Sequence, residues 1–211
     1  MPDDVDSPEV AGSTGGDLTT AFGVIRGKQY ADAHGLRYDD QPEDPRASFV
    51  QFATTPSGDV LFVGVLSRNS DGDYKVGRTK AVLVRLDPKG KLRWRRELTA
   101  KGFLDYGGGK VAVTSDGGCV VQVASYVHPG RHPVVRLVRL DAKGKILWDR
   151  RFRGSGGVES PIGDRFELLP DGSVSITGRY YEDRYERVKH TWKGRVDAQG
   201  QIVLDQVDPE G

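Results

Sequence analysis

Apolar residues along this chain come in short β-prone runs, broken at regular intervals by turn-forming residues. The runs SFVQFATT, KVAVTS and RFELL each lead into a tight turn: PSGD at Pro56–Asp59, SDGG at Ser115–Gly118 and PDGS at Pro170–Ser173. A second run follows each turn: VLFVGVL, CVVQVASY and VSITGRYY. Asp-Gly and Ser-Gly turns between such runs are hairpin signals. After a looser loop, a third run ends at Asp87, Asp141 or Asp197. A second tight turn (DPKGK, DAKGK or DAQGQ) then leads into a fourth run. The pattern predicts four strands, three times over.

Side-chain alternation supports this reading. In the fourth runs Leu92, Trp94 and Leu98 match Ile146, Trp148 and Phe152, while Arg93 and Arg95 alternate with them. A period of two is what a half-buried strand requires. The third runs are apolar on both faces over Ala81–Val84 and Val134–Val138, as strands covered on two sides are. Nothing from Phe49 to Val207 has helical spacing with caps. The repeat is plainest in LVRLDPKGKLRWRREL from Leu83 and LVRLDAKGKILWDRRF from Leu137, with a worn third copy, GRVDAQGQIVLDQV, from Gly194.

Four antiparallel strands in a unit of about 55 residues resemble a β-propeller blade. The motif LDxxGKxxW occurs as Leu86, Asp87, Gly90, Lys91 and Trp94, and again as Leu140, Asp141, Gly144, Lys145 and Trp148. It resembles the blade signature of bacterial quinoprotein-type (PQQ-like) propellers, over about residues 47 to 207. The resemblance implies that Trp94 and Trp148 dock against the neighbouring blade. In the third copy Leu204 stands where the tryptophan would be.

The expected fold is all-β, with three four-stranded antiparallel propeller-like blades at about 47–102, 108–154 and 163–207. Residues 1–46 are expected to be a mostly disordered leader with one strand at Leu18–Arg26. Because propellers typically have four to eight blades, three form a partial β-propeller or one completed by oligomerisation. Three sheets side by side are expected to leave two faces uncovered. A self-contained or dimerised three-repeat domain is preferred here to a fourth blade built from the first 46 residues.

Composition narrows the function classes. Lys and Arg (31) nearly balance Asp and Glu (30) in 211 residues, so net charge gives no push toward nucleic acid, which is not the expected partner, or toward an anionic membrane. Gly is abundant at 28 residues and hydrophobics make up 36%, which suits short strands and tight turns. No apolar run reaches the ~18 residues of a membrane-spanning helix. The start, MPDDVDSPEVAGSTGGD, lacks a signal-peptide pattern. The compartment is left open, extracytoplasmic if a leader was removed. The single cysteine, Cys119, aligns with Val60 and Val174 and reads as a small buried hydrophobe.

Candidate chemistry gathers in the long loops at 67–78, 99–109, 127–132, 153–163 and 182–187. By strand order these share one rim, while the short turns share the other. Irregular loops on a rigid scaffold are where binding residues concentrate. The candidate binding residues are Asp105, Tyr106, His128, Arg131, Glu159, Tyr180, Tyr181, Tyr185 and Trp192. Among them GRYYEDRYERVKHTWK, from Gly178, interleaves aromatics with cations, as macromolecular interfaces do.

Other signals are incomplete. Asn69, Asp71 and Asp73 open like a calcium loop but lack its distal glutamate. His128 and His132 lack a fixed third ligand. Asp105 and Glu159 would serve glycoside chemistry only if the fold brought them together. No phosphate loop, nucleophile elbow or HExxH helix occurs. The expectation is therefore a non-enzymatic binding or scaffold domain, with no catalytic residue, metal or cofactor. It would recognise a protein partner, a second copy or another macromolecule such as a glycan. The alternatives are a carbohydrate-active or quinone-dependent enzyme fragment, and a structural assembly unit that completes a ring by dimerisation.

Overall fold

The computed structural model describes residues 51–66, 80–98, 103–105, 109–127, 132–152, 162–181 and 189–208. These residues form strands and turns and contain no helix. The first sheet is an antiparallel meander of β1 (Gln51–Thr54), β2 (Val60–Leu66), β3 (Lys80–Leu86) and β4 (Leu92–Glu97). The third repeats it with β10 (Ile162–Leu168), β11 (Val174–Tyr181), β12 (Lys189–Val196) and β13 (Ile202–Asp208). Among the described residues no closed barrel forms. The arrangement is that of a partial propeller.

The second sheet has the same depth, but its first strand is in two pieces. β7 (Cys119–Val127) pairs with β6 (Val111–Val113) at one end and with β5 (Phe103–Asp105) at the other, then continues through β8 (His132–Leu140) to β9 (Ile146–Phe152). The sequence places Phe103–Asp105 in a loop, but β7 outruns β6 and its free half pairs with that backbone instead. Between the pieces, the Gln122 N–H donates to the Lys110 carbonyl at 2.8 Å. A Cβ on Gly109 would lie 2.0 Å from the Gln122 carbonyl oxygen. Only glycine fits there.

Stacking of the sheets explains the continuous apolar runs. One face of the second sheet (Val111, Cys119, Val121, Val138, Leu140) shares a core with Ala53, Leu61, Val63, Ala81 and Leu83 of the first. Its other face (Ala112, Val120, Val135, Leu137) shares a core with Phe166, Val174, Ile176, Trp192 and Val196 of the third. Successive residues of each middle strand therefore serve opposite neighbours, and no polar face is left to break the run. Fully burying one such side chain is worth about 1.5–3 kcal/mol.

The two end faces differ. On the first sheet, Phe52, Val60, Phe62, Val82, Val84 and Leu86 are buried yet belong to neither core. On the third, the positions equivalent to Ala53, Leu61, Val63, Ala81 and Leu83 are Glu167, Ser175, Thr177, Thr191 and Lys193. Glu167, Thr191 and Lys193 are exposed and the other two are half-buried. This corrects the expectation of two uncovered sheet faces. One end is built like an interior face and is buried, and the other is built for water, as terminal repeats of stacked arrays are.

The fourth strands carry a further departure. In all three sheets the third-to-fourth register shifts by one residue at the same place, at Arg85/Leu86, Arg139/Leu140 and Arg195/Val196. Arg93, Leu147 and Val203 are the extra residues. The bulge takes Leu92, Ile146 and Ile202 out of the alternation that the sequence implies, and all three are exposed.

Candidate functional site

The short-turn rim is closed by its own hydrogen bonds. The Asp87 carboxylate accepts the N–H groups of Lys89 at 2.9 Å and Lys91 at 2.8 Å, and Asp141 does the same for Lys143 and Lys145 at 2.9 and 2.8 Å. Asp197 accepts the Gln201 N–H at 2.7 Å. The turn chemistry is that of an aspartate closing on its own backbone two and four residues on.

The last arginine of each third strand ties this turn to the first one. Arg85 reaches Asp59 at 2.7 Å, Arg139 reaches Asp116 at 2.9 Å and Arg195 reaches Asp171 at 2.9 Å. Asp59 also takes Arg93, from the bulge, at 2.8 Å. In the first repeat the acid has moved from the second turn position, where Ser57 stands, to the fourth. The arginine finds it all the same.

At Asp87, Asp116 and Asp171 these bonds favour the ionised acid. The Thr114 hydroxyl, then the Gly118 N–H and Arg139, hold the Asp116 carboxyl below the usual range against a smaller cost of burial. Asp171 is held down by the Ser173 hydroxyl and N–H and by Arg195. For Asp87 the Lys91 N–H is the largest cause. In contrast, burial pushes the Cys119 thiol up to about 12. It is a packed core group with no thiolate character at neutral pH.

The same turns receive the preceding sheet. The Trp94 indole N–H donates to the Ala142 carbonyl at 2.9 Å, and the Arg96 guanidinium to the Gly144 carbonyl at 2.8 Å. One repeat on, Trp148 donates to Ala198 at 3.4 Å and Arg150 to the Gly200 carbonyl. Gly144 and Gly200 have positive φ, 79° and 87°. A Cβ on either would meet the tryptophan ring at 2.7 or 2.6 Å. The glycine of LDxxGK thus serves both its own turn and the indole of the sheet before it. Arg85 adds a third tie, to the carbonyls of Gly117 at 2.7 Å and Ala142 at 3.1 Å.

Towards the other rim the junction is made by one equivalent pair of positions. Arg136 is 1% exposed; it is held by Asp149 at 2.9 Å and donates across the junction to the Leu98 carbonyl at 2.6 Å. In the third sheet Trp192 and Asp205 take these places, the indole N–H donating to the carboxylate at 2.9 Å. The Trp192 ring meets Phe152 of the second sheet edge-on, with centroids 5.1 Å apart. Trp192 is 0% exposed. The structure places this candidate binding residue in the core between sheets, and nothing of its ring reaches the surface. The signal was its alignment with Val82 and Arg136, both interior.

The remaining candidates lie at or beyond the strand ends of the long-loop rim. Asp105 ends β5 opposite Ser125. Tyr180 and Tyr181 end β11 opposite His190 and Lys189. His132 opens β8 opposite Val127, so the loop between the two histidines leaves from one strand pair. Tyr106, His128, Arg131, Glu159 and Tyr185 lie outside the described residues, as do Asn69, Asp71 and Asp73 and the strand expected at Leu18–Arg26. Among the described residues no group of three or more His, Cys, Asp or Glu side chains could hold a metal ion. No described helix is long and apolar enough to cross a membrane. No protein-family model and no curated protein matches this chain.

Proposed function

We propose that the chain is a non-enzymatic binding module that recognises a macromolecular partner, foremost a protein, through its long-loop rim. The observation that supports this most is the unlike build of the two rims. At the short-turn rim the carboxylates and arginines are spent on each other and on the neighbouring sheet. At the other rim the strand pairs Leu66–Lys80, Val127–His132 and Tyr181–Lys189 open into loops of varied length carrying Asp, His, Arg and Tyr. Strands presenting polar and aromatic segments of varied length suit recognition, where Tyr and Arg dominate binding energy. In this reading the quinoprotein-type blade grammar serves as scaffold alone.

Photo-crosslinking tests it. A benzoylphenylalanine replacing Tyr106, His128 or Tyr185 should trap one discrete partner from a native lysate, and one replacing Lys89 or Lys143 should not. Equal trapping at both rims would defeat the proposal.

A further inference from the structure

Among the described side chains, the large hydrophobic ones that stand exposed are Leu92, Ile146, Leu147, Ile202 and Val203, at 40–56%. All five sit at one place, the opening of the fourth strand directly after the second tight turn. That strand is the last in each sheet's order, and its opening lies at the short-turn rim. We infer that this row, with the lysines of the turns before it, seats the protein peripherally on an anionic membrane surface.

The fold exposes these groups by a repeated device. Strict alternation would put Leu92, Ile146 and Ile202 on the face of Trp94, Trp148 and Leu204. The one-residue register shift turns them out instead in every sheet, as bulges re-aim side chains. An isolated exposed aliphatic residue needs no explanation, but the same exposure in three repeats does. Because the sheets stack, the row advances in steps of about 10 Å.

The charge beside the row decides the occupant. Lys89 and Lys91 precede Leu92, Lys143 and Lys145 precede Ile146, and all four are exposed. The third turn has Gln199 and Gln201 in their place. The aspartates of this rim are engaged: Asp87, Asp141 and Asp197 by their own turns, and Asp59, Asp116 and Asp171 by arginines. The lysine surplus is local, and a net charge of +1 for the whole chain conceals it. Protein interfaces favour Tyr, Trp and Arg and are depleted in Lys. This row is wholly aliphatic and flanked by Lys. Aliphatic groups entering the acyl boundary beside cations that meet the headgroups are the pairing of interfacial membrane binding. Seated so, the protein turns its long-loop rim away from the lipid, and the inference stands whatever that rim binds.

Flotation of the full chain with lipid vesicles tests it. Vesicles of phosphatidylcholine with about a quarter phosphatidylglycerol should carry the chain, and phosphatidylcholine alone should carry far less. Leu147→Ser with Val203→Ser should weaken binding roughly ten-fold or more. Lys143→Gln with Lys145→Gln should do the same. All four positions are exposed, so circular dichroism should match the unaltered chain; if the serine variant does not fold, the glutamine variant decides. Equal flotation with both lipids, or none with either, would overturn the inference. So would folded variants that bind as the unaltered chain does. A benzoylphenylalanine at Leu147 that traps a discrete protein from a membrane-free lysate, with the vesicles left unbound, would assign the row to a protein partner and overturn it equally.

Discussion

Trp94 and Gly144 are made for each other across a sheet boundary. The ring lies where a Cβ on Gly144 would be, 2.7 Å from its nearest carbon. The indole N–H bonds to the same turn, at Ala142. A residue of one repeat thus dictates a residue of the next, and Trp148 and Gly200 restate the rule.

That relationship separates two glycines of equal backbone. Gly117 and Gly144 have φ of 77° and 79°, so an alanine at either pays about 1–2 kcal/mol for the left-handed conformation. Only at Gly144 does it also collide with the ring, since at Gly117 the nearest atom is 3.8 Å away. Gly144→Ala should therefore cost clearly more than Gly117→Ala in urea unfolding. In a Trp94→Ala background the two costs should converge.

The tryptophans themselves should rank by burial. Trp148 is 6% exposed and Trp94 is half-buried. Trp148→Ala should cost about 3–5 kcal/mol, the range for a large core ring, with Trp94→Ala at or below the low end. The same unfolding experiment checks the order.

Asp149→Ala removes the carboxylate that holds the Arg136 guanidinium, and breaking a buried pair costs about 3–5 kcal/mol. Because Asp149 is 29% exposed on its side chain, the low end is expected. The first sheet has Val82 at the arginine's place. Arg136→Val with Asp149→Ala should accordingly be more stable than Asp149→Ala alone, as measured by thermal melting.

Acid should loosen the short-turn rim. Asp116 and Asp171 have folded pKa values below the ordinary 3.8. Their contribution is whole above 3.8, declines as pH falls below it, and is gone once pH passes the folded value. Asp116→Asn should flatten the fall in stability below about pH 4, followed by urea midpoints, and leave the slope above about pH 5 unchanged.

Much of this fold is legible along the chain because each strand is short, strongly alternating and punctuated by glycine turns. Trp94 and Trp148 stand out for the same reason, sitting at a fixed offset from LDxxGK. The two end faces are harder to read. Leu61, Val120 and Ser175 occupy one position in three repeats, and only comparing that position across repeats shows the third face to be polar. Trp192 misleads because its neighbours Tyr180, Tyr181 and Tyr185 suggest a surface, whereas its strand parity puts it inside. Asp105 in β5 depends on how far β7 extends, which local pattern does not encode. The loops that would carry recognition have no periodicity to interpret.

The outer face of the first sheet is buried within one chain and that of the third is polar, so no described sheet presents an apolar face to a second copy. Light scattering of the intact chain over a wide concentration range tests this most directly. A constant mass of 23.1 kDa is the predicted result. A dimer of twice that mass, persisting on dilution, would contradict it.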